Sequence, residues 1–157
     1  MSSQAADFFA STVKPTVTEY LDNARDIRRG RLAAIVLYHM ADYLALEGYT
    51  GRDRKIMNKR LDNLREKLIA KCPDFSLVRD IADASKHAQL SISKKAAREL
   101  SSSRQVTGSP SLFHAPFGEG VFAEAAIVFA VLDNGTYKPL EPAICSVMTM
   151  WEEQFRG

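Results

Sequence analysis

The sequence predicts a mainly α fold, a helical bundle with a small antiparallel β-hairpin before the C-terminal helix. Three observations predict it. Apolar residues recur at three- and four-residue spacing through most of the first hundred positions. Prolines and glycines then punctuate Gly108 to Gly120, too densely for a long helix. Finally, the β-branched and aromatic run Ala125 to Leu132 meets the turn signal Asp133-Asn134-Gly135 and the extended-looking Thr136 to Leu140, which together indicate a hairpin. The 157 residues suit one domain, read as a helical bundle over 1–104, a β-containing insertion over 105–141 and a C-terminal helix over 142–157.

Taken in order, Ser2 to Val13 carries Ala5, Phe8, Phe9 and Thr12 at helical spacing and is expected to stop before Pro15. Helical spacing resumes from Thr16 through Val17, Tyr20, Leu21, Ala24 and Ile27, up to Gly30. Leu32, Ile35, Val36, His39, Tyr43 and Leu46 then mark the expected core face of the next stretch, which Gly48 and Gly51 close. From Asp53 to Lys71 a narrow stripe of Met57, Leu61, Leu64 and Leu68 predicts a charged surface helix. Cys72-Pro73-Asp74 breaks it, and Leu77, Ile81, Ala84 and Ala88 share a face of the helix that follows. Lys94 to Leu100 reads equally as helix or loop. After the hairpin, with Pro139 suited to an edge strand, Pro142 fits a first helical turn. Ile144, Val147, Met148, Trp151 and Phe155 then make a wide apolar face.

Composition narrows the function classes. With 46% hydrophobic and 25% charged residues the chain is not expected to be disordered. Cys72 and Cys145 form no metal-binding or disulfide pattern and are expected as buried free thiols. The N-terminus has no signal-peptide pattern, and the apolar stretch Leu32 to Leu46 is too short for a bilayer, so no membrane partner and a cytoplasmic location are expected. Charge is unevenly placed: residues 1–104 hold nineteen cations and thirteen anions, residues 105–157 two and six. The cations are densest over 52–71, where Arg54, Lys55, Lys59 and Arg60 are candidate contacts for RNA or an acidic partner. A solvated helix face accounts for the same pattern.

One constellation stands out. His39 interrupts an apolar stripe, with Asp42 one turn on; Asp80, Asp83 and His87 follow three and four residues apart on another helix. If the two helices pack together, these groups approach one another. Three readings stay open: a structural network in which carboxylates satisfy buried imidazoles, a metal site, or a general acid/base, His87 oriented by Asp83 with Arg79 or Lys86 binding phosphate. The Glu-x-x-His pairs of di-iron bundles are missing, no metal ligand set is assigned, and no cofactor is expected. The glycines at 108, 118 and 120 follow no phosphate-cradling pattern, Ser109 and Ser111 lack a nucleophile elbow, and His114 has no evident partner.

The segments His39-Met40-Ala41-Asp42-Tyr43-Leu44 and Arg79-Asp80-Ile81-Ala82-Asp83-Ala84-Ser85-Lys86-His87 resemble a family of small bacterial and phage proteins. There an H-x-x-D-Y/W helix precedes one ending in Lys-His, followed by a hairpin and a Trp-containing helix. That resemblance implies a fold and assigns no activity. The chain is also similar, more loosely, to HEPN domains, helical bundles that often act as ribonucleases through an Arg and a His four to six residues apart; here seven residues separate Arg79 from His87. The expectation is an intracellular protein of bacterial or phage origin acting by binding, with no enzymatic activity assigned. Its alternative is a HEPN-like, metal-independent ribonuclease with His87 as acid/base and Arg79 on the phosphate. Such nucleases often dimerise, and the Trp151 helix offers an interface for a homodimer.

Overall fold

The computed structural model describes residues 3–92, 97–108 and 127–156. Ser109, Ser111, His114, Gly118 and Gly120 lie outside them, as do residues 94–96 of the ambiguous Lys94 to Leu100 stretch.

α1 (Gln4–Phe8) begins at Ser3, whose hydroxyl accepts a hydrogen bond from the Ala6 amide at 3.1 Å. The helical run does not stop before Pro15. A π turn over Phe9–Val13 leads straight into α2 (Lys14–Leu21), and Pro15 sits in the first turn of α2, where its missing N–H costs least. The break comes later, at residues 22–26, because Asp26 caps a new helix by accepting from the Arg29 amide at 3.1 Å. Hydrogen bonding from that amide holds the half-buried Asp26 carboxyl below its ordinary range.

α3 (Ile27–Ala45) therefore contains Gly30 instead of bending at it. The core face of α3 also differs from the expected one. Ala33, Ala34, Leu37, Tyr38, Met40 and Ala41 are buried, whereas Leu32 is 41% exposed. The small residues explain the shift, since alanines and Gly30 let neighbouring helices approach closely. A Cβ on Gly30 would stand 2.8 Å from a Leu140 methyl and 3.1 Å from the Tyr20 ring, and both side chains are fully buried. Gly30→Val is accordingly expected to lower stability by about 2–3 kcal/mol through overpacking. Urea unfolding measures this, and an unchanged midpoint would show that Leu140 and Tyr20 can yield.

α4 (Arg54–Lys71) is capped by Asp53, which accepts from the Lys55 and Ile56 amides at 2.8 and 3.2 Å. Its stripe faces inward as expected, yet Leu68 alone is fully buried. α5 (Asp74–His87) is the opposite case: Phe75, Leu77, Val78, Ile81, Ala82 and Ala84 are all buried, and its most extensive packing is against α3. It ends at Ala88, in a positive-φ conformation. Residues 97–100 are not helical, and the chain there crosses α5 with Leu100 fully buried.

The hairpin is present and a third strand joins it. β1 (Val106–Gly108), β2 (Val128–Val131) and β3 (Tyr137–Pro139) form an antiparallel sheet in that order, with Val106 opposite Ala130 and Phe129 opposite Pro139. Pro139 is on an edge strand, where no ladder donor is needed. Gly135 supplies the positive φ of the turn. α6 (Leu140–Gln154) starts two residues before Pro142 and packs on α5, α3 and β2. Val106, Val128, Ala130, Leu140 and Trp151 belong to one buried cluster with α3 and α5, so sheet and bundle share a core. No helix among the described residues is long and apolar enough to cross a membrane.

Candidate functional site

Because α3 and α5 pack together while α4 is only partly embedded, a cleft opens between the three helices. Its volume is about 480 Å³. Tyr38, Ile69 and Ala82 supply apolar lining, and the rest is an imidazole and charged groups of both signs. From α3 come His39 and Asp42; from α4, Asp62, Arg65 and Glu66; from α5, Arg79, Asp83 and Lys86; from the crossing segment, Arg98.

His39 is not on the core face. Its side chain is 39% exposed, and its Nδ1 lies 2.9 Å from Asp42 Oδ2. A proton on Nδ1 leaves Nε2 as an acceptor. The other Asp42 oxygen accepts from Arg65 Nη2 at 3.0 Å, and the Arg65 guanidinium stacks over the Tyr38 ring at 4.7 Å. Burial pushes the Tyr38 hydroxyl up to about 12, so it stays protonated at neutral pH.

A second network closes the opposite wall. Asp80 is fully buried. Its Oδ1 accepts from Arg79 Nε and Arg98 Nη1, both at 2.8 Å, and its Oδ2 from the Glu99 amide at 2.6 Å. Arg98 Nη1 also donates to Asp83 at 2.8 Å, and Arg79 Nη2 to the Ala97 carbonyl at 2.9 Å. Burial works against the charge of Arg98, but its hydrogen bonds to Asp83 and Asp80 outweigh that and hold the guanidinium above its ordinary range. Glu99 in turn accepts from Ser76 at 2.5 Å and from Lys138 at 3.3 Å, which ties the segment to β3 as well.

The structure thus brings together His39 with Asp42, and Arg79 with Asp80 and Asp83, all around one cleft with Lys86 at its exposed edge. It does not bring His87 there. That imidazole is exposed at the end of α5 and does not line the cleft, whereas Arg79 is 6% exposed and engaged by Asp80. Among the described residues no three His, Cys, Asp or Glu side chains are grouped as a metal would need.

Arg65, Arg98 and Glu66 were not singled out as site residues by their spacing. Arg65 had a readable signal: it follows Leu64 and is one turn from Leu61 and Leu68, which turns it inward. Arg98 had none, because a long-range contact from a non-helical segment leaves no periodic trace.

Along α4, Arg54, Lys55, Lys59, Arg60, Lys67 and Lys71 are all exposed, as is Arg52 just before it. Arg60, Lys67 and Lys71 share the flank turned away from the cleft, and Lys55 and Lys59 share the flank turned towards it. Lys71 is 3.5 Å from Glu153, and the Arg60 guanidinium covers the Tyr49 ring at 4.8 Å. Asp62 and Glu66, which line the cleft, continue the stripe of Lys55 and Lys59 at three- and four-residue spacing. Trp151, by contrast, is fully buried, with its Nε1 donating to the Leu37 carbonyl at 3.0 Å, and is a core residue with no surface to offer a partner.

Family models, curated proteins and solved structures were each compared with the chain, and none matches it.

Proposed function

We propose that the protein acts by binding, in the cytoplasm, and that the outer face of α4 docks single-stranded RNA. The observation that carries this reading is the display of six exposed cations along one weakly embedded helix about 27 Å long, with Arg52 just before it. A run of like charges on a helix repels itself, and a phosphate backbone relieves that repulsion while releasing its counterions. The Arg60–Tyr49 stack adds a flat guanidinium surface on which an unpaired base can lie, a feature of single-strand recognition that duplexes do not use. Exposed Ile56 beside it offers apolar contact. Cys145, an exposed free thiol, suits a reducing compartment. The proposal includes no bond-breaking step, since Arg79 and His87 do not meet in one site.

Fluorescence polarisation with a short labelled RNA tests it. With five phosphates neutralised, affinity is expected to fall roughly a hundredfold between about 50 and 200 mM salt, at a log–log slope of about −3.5. Lys55→Ala with Lys59→Ala should weaken binding at low salt and reduce the slope by about 1.4. An unlabelled acidic peptide of equal charge should compete less well than RNA. Binding that ignores salt, or that survives both substitutions unchanged, would refute the docking face.

A further inference from the structure

The charges of the cleft are sorted by wall. On the α5 side, Arg79 and Arg98 are fixed by buried Asp80 through atoms that leave Nη1 of Arg79, and Nε and Nη2 of Arg98, unengaged among the described residues. The Arg98 Nε is buried, so Nη2 is the group it can offer. Lys86 adds an exposed ammonium with no carboxylate partner among the described residues. Three cations against Asp80 and Asp83 leave that wall net positive. The α4 side carries Asp62 and Glu66 against Arg65, whose Nη2 is committed to Asp42. That wall is net negative. Between them, His39 has only Nδ1 engaged, by Asp42.

We infer that the cleft binds a small amphoteric molecule, with an oxyanion against Arg79, Arg98 and Lys86 and an ammonium against Glu66 and Asp62. Size agrees: about 480 Å³ is the space of roughly sixteen water molecules at liquid density, which suits an amino acid or a phosphorylated amine. The donors on the α5 wall are held in place before any ligand arrives, because Asp80 fixes two guanidinium groups at once, so little side-chain freedom is lost on binding. A plain anion meets the α4 carboxylates as repulsion, and a plain cation meets the α5 wall likewise. Only a molecule carrying both charges satisfies both sides.

Calorimetric titration of the full chain with phosphoethanolamine, 4-aminobutyrate, inorganic phosphate and ethylamine tests this. The two amphoteric compounds are expected to bind at least tenfold more tightly than phosphate or ethylamine, and the tighter of the two identifies the oxyanion as phosphate or carboxylate. Lys86→Ala should weaken amphoteric ligands roughly three- to fivefold, as loss of one partly screened pair does. Glu66→Gln should weaken the same ligands by a similar factor while leaving phosphate unchanged or tighter. Both residues are exposed, so circular dichroism of both variants should match the parent. The inference is overturned if no amphoteric compound binds below about 10 mM, or if phosphate alone binds as well as phosphoethanolamine. It is equally overturned if Lys67→Ala, on the flank of α4 turned away from the cleft, has the effect expected of Lys86→Ala.

Discussion

Replacing Asp80 with asparagine is expected to lower the unfolding free energy by about 3–5 kcal/mol, the usual cost of removing one partner from a buried charge network. Asparagine keeps the shape but not the charge, and it leaves two guanidinium groups facing each other across a carboxamide. The site is fully buried, so water does not screen the loss. One carboxylate holds three donors from two places in the chain: Arg79 on its own helix, and the Arg98 side chain with the adjoining Glu99 amide. Its removal therefore frees the crossing segment as well as weakening α5. In hydrogen exchange the Glu99 amide should lose its protection, and so should Leu100 next to it. Arg98→Gln should cost less, because its side chain is 24% exposed and Arg79 still neutralises the carboxylate. A loss below about 1 kcal/mol for Asp80→Asn would mean that the network contributes only to the shape of the cleft and not to the fold.

The same network shows what was readable before the structure and what was not. The class of fold was legible, because amphipathic helices, a turn signal of the Asp-Asn-Gly type and a proline-led closing helix are local features. β1 was not, since three residues of strand have no pattern of their own and exist only because Val106 finds Ala130. Periodicity placed His39 on the core face of α3, but the close approach allowed by Ala33, Ala34 and Ala41 rotates the buried face and leaves the imidazole at the edge of a cleft. Asp80 and Asp83 were noticed for their spacing; what makes them a site is Arg98, fifteen and eighteen residues further on and outside any helix. His87 shows the limit in the other direction. Its spacing from Asp83 was suitable, yet it falls at the last residue of α5, and the helix ends before that side chain can join the cleft.

Trp151→Ala is expected to cost about 4 kcal/mol, within the range for a large buried aromatic replaced by a methyl group, and to lower the melting temperature by roughly 8–16 °C in a domain of this size. The indole is fully buried and packs edge-on to Phe75 at 6.3 Å, and Phe75 in turn lies against Tyr38 at 5.9 Å. Tyr38 is the ring on which Arg65 stacks. The cavity left by the indole is thus two ring contacts away from the floor of the cleft, and its effect should not stay local. Trp151→Phe separates volume from hydrogen bonding. It keeps most of the packing and loses the 3.0 Å bond to the Leu37 carbonyl, for an expected cost of about 1–2 kcal/mol. If the core supports the cleft through this aromatic chain, Trp151→Ala should also weaken phosphoethanolamine binding at a temperature where the protein remains folded, and Trp151→Phe should leave it intact. Equal ligand affinity in both variants would show that Arg65 and Tyr38 hold their positions without help from α6.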